Sequence, residues 1–399
     1  MRPCLVLASV LPLVLLGAAA WAQAPATPDR PAPPFSAARA AGNFLYLSGA
    51  LPTDPDGTIV EGDIKAQTAR TLDSLAAVLK AHGCSLERAA SVTVYLRRAA
   101  DFAAMNEVYA RYWPKNPPAR TTVVAPPMLA AALVEISLVA VRDGAERTVV
   151  HPSGWMRSPN PYSYGIKSGD TLFLAGLIAR SAKDNTFGGG DMKAQTAAAL
   201  ANGREILAAA GFSLGDVVAS RVYITDTARF QDMNAVYREA FPAPPPARAT
   251  VRCGLMGADY LVEITMVAVR DPGRRAITTP GPDGSPGKPN PVLSSAIQVG
   301  NRLYLSGMLG VTDATGGSAA AQTTETLARL GRTLRAAGFD WRDVVESMVY
   351  LPNPDDFGAM NQAYREVLPQ PYPARTTVAA GLVAPEGLVE IMMTAVRQP

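Results

Sequence analysis

One order of apolar and polar positions recurs three times along the chain, and its first pass predicts the elements most clearly. Asn43 to Ser48 reads as an alternating strand that ends at Gly49. After a loop, Ile64 to Ala81 places Leu72, Leu75, Ala76 and Leu79 at helical spacing and stops at Gly83. Ala90 to Leu96 is rich in β-formers and reads as a strand. Asp101 reads as the cap of a second helix running through Tyr112, with Phe102, Met105 and Tyr109 on one face. Arg120 to Ala125 and Leu133 to Arg142 read as two further strands. This order predicts an α+β layer with helices on one face of a mixed sheet.

The same markers return downstream. Ala66-Gln67-Thr68, Ala194-Gln195-Thr196 and Ala321-Gln322-Thr323 open the matching segments. Each runs on through Met-Asn (Asn106, Asn234, Asn361) and a Tyr three residues later (Tyr109, Tyr237, Tyr364). Each then reaches Pro-Ala-Arg (Arg120, Arg248, Arg375) and Leu-Val-Glu-Ile (Glu135, Glu263, Glu390). Gln to Glu is 68 residues in all three copies, without a gap. A period of about 127–128 residues is a domain rather than a solenoid unit. The loop before the long helix varies: Gly307 to Gln322 spans 15 residues against 18 in the first copy. The organisation predicted is domain 1 at 35–142, domain 2 at 161–270 and domain 3 at 291–399. Gly/Pro-rich linkers at 143–160 and 271–290 separate them.

The N-terminus changes the expected address. Arg2 precedes an apolar run from Leu5 to Leu16, broken at Ser9 and Pro12, and Ala22-Gln23-Ala24 has small-x-small cleavage spacing. Residues 1–24 therefore read as an export signal and 25–34 as a Pro/Ala tether, giving a secreted or periplasmic protein. The apolar run is short for a bilayer of roughly 30 Å, so no stable membrane insertion is expected after cleavage.

The net charge is +3 over 399 residues, and no basic stripe with interleaved aromatics is present, so no nucleic-acid partner is expected. Cys84 and Cys253 occupy different repeat positions in apolar surroundings, which argues against a disulfide framework. His82 and His151, the only histidines, read as loop or helix-end residues. They have no partner at metal-ligand spacing, so neither a metal nor another cofactor is expected.

Each repeat thus sets one Arg after a stiffening Pro and, 15 residues on, one Glu inside an apolar strand. A carboxylate there is costly unless paired or hydrogen-bonded, and a guanidinium fork suits bidentate capture of a carboxylate. Two readings stay open on spacing alone: a structural Arg–Glu ion pair in each repeat, or a ligand site. The three Asn residues read as helix–strand hydrogen bonds, the three Tyr as core, and the three Gln as structural contacts near the helix start.

The run Pro-Ala-Arg-Thr-Thr-Val, Leu-Val-Glu-Ile and Ala-Val-Arg resembles the C-terminal signature of the RidA/YjgF family. Leu45-Tyr46-Leu47-Ser48-Gly49, Leu303 to Gly307 and Asp-Phe-x-x-Met-Asn match as well. The resemblance covers nearly all of each repeat. It implies three chorismate-mutase-like α+β domains fused into a covalent, monomeric pseudo-trimer with clefts between neighbouring domains. It also implies hydrolysis of 2-imino and 2-enamino acids to 2-oxo acids and ammonia.

By that resemblance Arg120, Arg248 and Arg375 hold the substrate carboxylate. Glu135, Glu263 and Glu390 orient or deprotonate the attacking water. Ser48, Gly49, Gly176, Ser306 and Gly307 line the clefts, with Ala175 preceding Gly176, and Asn106, Asn234 and Asn361 lie beside the substrate. Where the deaminase branch has a Tyr at the start of its domain, this chain has Phe35, Tyr162 and Leu293, so only Tyr162 brings a hydroxyl to a cleft. Where that branch often has Cys, it has Thr122, Thr250 and Thr377. The alternative functions are a non-catalytic binder of small carboxylates and a scaffold.

Overall fold

The structure, a computed structural model, describes residues 32–398. The proposed signal at 1–24 and most of the 25–34 tether lie outside the described residues.

Domain 1 runs β1 (Ala38–Ala41), β2 (Phe44–Ala50), α1 (Ile64–Ala81), β3 (Ala89–Leu96), α2 (Phe102–Tyr112), β4 (Ala119–Val124) and β5 (Val134–Val141). After β6 (Thr148–Val150), domain 2 repeats the order as β7 (Gly165–Ser168), β8 (Thr171–Leu174), α3 (Met192–Ala209), β9 (Val217–Ile224), α4 (Phe230–Ala240), β10 (Ala247–Arg252) and β11 (Val262–Val269). After β12 (Arg275–Ile277) come β13 (Ala296–Val299), β14 (Arg302–Leu309), α5 (Ala319–Ala336), β15 (Val344–Leu351), α6 (Phe357–Val367), β16 (Ala374–Ala379), β17 (Gly381–Leu382) and β18 (Glu390–Val396).

Domain 1 carries a five-stranded sheet in the order β1-β2-β5-β3-β4, mixed because β3 and β4 are parallel and the other neighbours antiparallel. The two helices cover one face, as the residue pattern predicts. The opening hairpin was not expected. Gly42-Asn43, Gly169-Asp170 and Gly300-Asn301 are its two-residue turns, with φ of +53°, +56° and +53° at the glycines, a backbone that glycine adopts without strain.

The helices start where a side chain answers a free N–H. Asp63, Asp191 and Ser318 accept from the backbone N–H of Ala66, Ala194 and Ala321. Asp101 does not cap α2: its carboxylate bonds Arg98 instead, at 2.9 and 3.0 Å, and a short 3-10 turn over Ala99–Asp101 leads into the helix. His82 ends α1 and His151 lies on the loop after β6, both exposed. Cys84 and Cys253 are both free and buried.

Both faces of each sheet are buried, which is why strands such as β3 read as almost continuous apolar runs. On β3, Val92, Val94 and Leu96 pack beneath the helices of domain 1. Tyr95 turns the other way, into a core shared with Tyr223 and Val251 of domain 2 and Met348 and Tyr350 of domain 3. A second shared core joins Phe44 and Tyr46 to Phe173 and to Val345.

The three domains close into a ring around those shared cores. Backbone bonds stitch the seams: Val124 and Gly254 exchange N–H···O bonds of 2.8 and 3.1 Å, Ala379 donates to Pro126, and β17 of domain 3 pairs with β10 of domain 2. The linkers are more than tethers, since β6 and β12 extend the sheets of the domains that follow them.

Candidate functional site

The Arg of one domain faces the Glu of the next. Arg120 lines one cavity with Glu263, Gly176 and Tyr162. Arg248 feels the charge of Glu390, and Arg375 that of Glu135. Three clefts therefore sit on the three seams: domains 1/2, 2/3 and 3/1. Among the described residues no ion pair joins any of these arginines to a carboxylate. The structural ion-pair reading is overturned, because the two side chains of one repeat open onto different seams.

Each arginine is seated by the second helix of its own domain. Phe102, Met105, Asn106 and Tyr109 follow the i, i+3, i+4, i+7 spacing of one helical face. The Arg120 guanidinium lies over the Tyr109 ring at 4.6 Å and the Phe102 ring at 5.8 Å. Arg248 lies over Tyr237 at 4.6 Å and Phe230 at 5.7 Å, and Arg375 over Tyr364 at 4.9 Å and Phe357 at 5.9 Å. Asn234 Oδ1 accepts from Arg248 Nη2 at 2.8 Å, and Asn361 Oδ1 from Arg375 Nη2 at 2.6 Å. The Asn residues are thus the helix–strand bonds expected, and their strand partner is the site arginine. Asn106 departs from the pattern: its Nδ2 donates across the seam to Asn160 Oδ1 at 3.2 Å. The aromatic floor was not foreseen, although the Phe-x-x-Met-Asn-x-x-Tyr spacing carried it. Phe35 adds a ring 5.4 Å from Arg375 in the 3/1 cleft, and Tyr162 one 5.9 Å from Arg120 in the 1/2 cleft.

Each glutamate enters on the edge of a seam. Glu135, Glu263 and Glu390 are buried, 5%, 7% and 2% exposed. A methyl group on Gly49, Gly176 or Gly307 would collide with the carboxylate of Glu135, Glu263 or Glu390 respectively, so each glycine is required by close approach. In domains 1 and 3 that glycine sits in a β-bulge, where the register slips between Leu47 and Ala50 and between Leu305 and Met308. Ser48 and Ser306, beside it, are committed to the seam. Ser48 Oγ accepts from the Arg375 backbone N–H at 2.7 Å and donates to Ser36, and Ser306 Oγ does the same for Arg248 and Ser294. Ala175 makes no such bond in domain 2.

The three Gln residues set where the glutamate strands begin. Gln67 donates to Val60 and Ala131 and accepts from Leu133 N–H at 2.7 Å. Gln195 and Gln322 make the same three bonds, to Gly190, Asp259 and Leu261, and to Gly316, Glu386 and Leu388. That staple, two residues ahead of each Glu, accounts for the constant 68-residue spacing.

Burial raises all three carboxyls from the ordinary 4.5 to about 8, outweighing a backbone N–H from Thr377, Thr122 or Thr250 and the facing arginine. Burial also lowers the three arginines, Arg375 to about 10, and a guanidinium keeps its charge at neutral pH. Several buried polar atoms in the clefts lack a partner: Arg120 Nη1, Arg248 Nε, Glu390 Oε2 and the hydroxyls of Thr122, Thr250 and Thr377. Unsatisfied buried groups gathered in a seam are what an incoming polar ligand would satisfy. The 1/2 cleft encloses about 230 Å³, the scale of a small metabolite.

Such a ring of fused α+β domains, with arginine-floored clefts on its seams, defines a tandem three-domain α+β protein. The endoribonuclease L-PSP family model matches residues 26–142, 156–270 and 288–397, and the chain belongs to that family, which includes the RidA-type proteins. A RutC family protein of Pyrococcus horikoshii is 45% identical over 115 residues, 29% of this chain and 91% of that protein. One of Sulfurisphaera tokodaii is 44% identical over 107 residues, 27% of this chain and 86% of that protein. A chorismatase crystal structure matches 78% of this chain and 93% of its own, with a TM-score of 0.55 and 16% identity, a likeness of fold alone. Family membership supports a small-molecule deaminase or binding role in general terms.

Proposed function

We propose that the chain hydrolyses 2-imino or 2-enamino acids, or closely related small carboxylates, to 2-oxo acids and ammonia. The observation that carries this reading is the pairing on each seam of a buried, charged arginine with a buried carboxyl raised to about 8. The arginine anchors the substrate carboxylate through its fork. The carboxyl is mostly protonated at neutral pH, so it first donates its proton to the imine nitrogen or the enamine β-carbon. The carboxylate left behind then takes a proton from the water that attacks the iminium carbon, passes it to the departing ammonia, and regains one from the carbinolamine hydroxyl as the carbonyl forms. Atoms and charge balance: one water enters, one ammonia leaves, and the Glu returns to its acid form. Such imines also hydrolyse in free water, so positioning and electrostatics suffice.

An RNA substrate is disfavoured, because arginines only 2–4% exposed lie out of reach of a phosphate chain. The proposal places the activity outside the cytoplasm after export. The test couples an amino-acid oxidase to the protein and follows imine decay and ammonia release. Turnover should rise with wild type and fall at least roughly 100-fold in Arg120→Met/Arg248→Met/Arg375→Met, on the scale set by losing the anchor that positions the substrate. Carboxylate-dependent thermal stabilisation without any acceleration would replace catalysis with simple binding.

A further inference from the structure

The 1/2 cleft differs from its two counterparts by more than Tyr162. Arg180 lines it, four residues after Gly176. The positions four residues after Gly49 and Gly307 hold Thr53 and Val311. Arg180 forms a β-bridge with Phe187 as Thr53 does with Ile59, so the first match is structural as well as numerical.

The Arg180 side chain is held in place. Its Nε donates to the Tyr260 hydroxyl at 2.9 Å, its guanidinium lies 5.9 Å from the Tyr260 ring centre, and Nη1 donates to the Asn185 carbonyl. Phe187 meets the Tyr260 ring edge-on at 5.1 Å. Tyr260 stands three residues before Glu263, where the other repeats have Ala132 and Gly387, neither with a side chain that could hold a guanidinium. Among the described residues no carboxylate pairs with Arg180, and Nη2 makes no hydrogen bond. Deeper in the same cavity Arg120 is 4% exposed with Nη1 unpartnered. Two guanidiniums, one from each domain, thus bring spare N–H groups to one space of about 230 Å³.

We infer that this cleft, unlike the other two, takes a small dicarboxylate. Arg120 holds the carboxylate next to the reacting carbon, and Arg180 holds a distal one. Arg180 is then a specificity-determining residue. The inference rests on the reading of the clefts as carboxylate sites.

Calorimetric titration with two 2-oxo acids separates the two ideas. 2-Oxoglutarate carries the second carboxylate and 2-oxobutyrate lacks it. Wild type should bind one 2-oxoglutarate per chain about tenfold more tightly than it binds 2-oxobutyrate, the scale of one charge-assisted contact. Arg180→Gln, on a half-buried side chain that folding tolerates, should erase that preference and leave 2-oxobutyrate unchanged. Tyr260→Phe, which frees Nε, should weaken it in the same direction. Equal binding of both acids in wild type, or a preference that survives Arg180→Gln, overturns the dicarboxylate assignment while the carboxylate reading stands. Binding of neither acid overturns both.

Discussion

At the residue scale, the protonation state of three glutamates decides when an anion is welcome. A carboxyl held near 8 is mostly protonated at neutral pH, so a ligand carboxylate meets the arginine with little repulsion from its neighbour. Above that value the Glu ionises and competes for the same guanidinium. The affinity for 2-oxobutyrate should therefore be flat from pH 6 to about 8 and then weaken, by up to about tenfold per pH unit. Glu135→Gln/Glu263→Gln/Glu390→Gln keeps the shape and removes the proton, so its binding should stay flat to higher pH. Titration calorimetry across pH 6–10 checks both, and a wild type as flat as the variant would deny the carboxyls this part. The same shift reaches stability. These acids bind protons more tightly folded than unfolded, so their contribution is full below about 4.5 and is lost as pH rises through 8. The slope is at most about 1.4 kcal/mol per pH unit for each of them.

At the element scale, the constant spacing from Gln to Glu is a mechanical link between the start of the long helix and the start of the glutamate strand. Gln195→Ala removes three hydrogen bonds to the loops around Gly190 and Asp259. It should cost about 1–3 kcal/mol, since the backbone groups it leaves are partly buried. Chemical denaturation of wild type and variant reads that difference, and an unchanged midpoint would show that the link carries no load.

Much of this was legible in the residues. Periodicity located α1 to the residue and the strands to within one or two, because buried helices and strands leave strong patterns. The Arg and Glu stood out because polar groups in apolar strands demand a reason. Four features did not emerge from the pattern. The hairpins before Phe44, Thr171 and Arg302 are signalled only by their Gly-Asn and Gly-Asp turns. Asp101 has the residue type of a cap, but Arg98 one turn earlier competes for it. That Arg and Glu of one repeat face different neighbours is long-range, and no local pattern encodes it. Arg180 was invisible for the same reason, lying in the loop that varies most between repeats.

At the scale of the whole molecule, fusion permits what a symmetric trimer cannot. Three identical chains would place the same residue at all three equivalent points around the axis, whereas here those points differ. Arg221 of domain 2 pairs with Glu346 of domain 3 at 3.1 Å, beside a small cavity lined by all three domains. The positions matching Arg221, two before the shared-core tyrosines, are Thr93 and Met348, and those matching Glu346 are Ser91 and Ala219. Arg302 likewise grips Asp170 and Thr171 across the same seam. Such pairs select one neighbour order, so the chain, once the proposed signal at 1–24 is removed, should run in light scattering as a monomer of about 39 kDa; a homotrimer of it would mean that the seams are satisfied between chains instead. The pair itself can be broken and rebuilt. Arg221→Thr strands the Glu346 carboxylate and should cost roughly 1–3 kcal/mol. That is below the ~3–5 typical of a fully buried pair, since both side chains are about one-fifth exposed. Adding Glu346→Ser reproduces the Thr93 and Ser91 of domain 1 and removes the stranded charge, so the double variant should recover most of the loss. A double variant no more stable than Arg221→Thr would mean that the guanidinium stabilises the axis by packing against the surrounding tyrosines rather than by meeting Glu346.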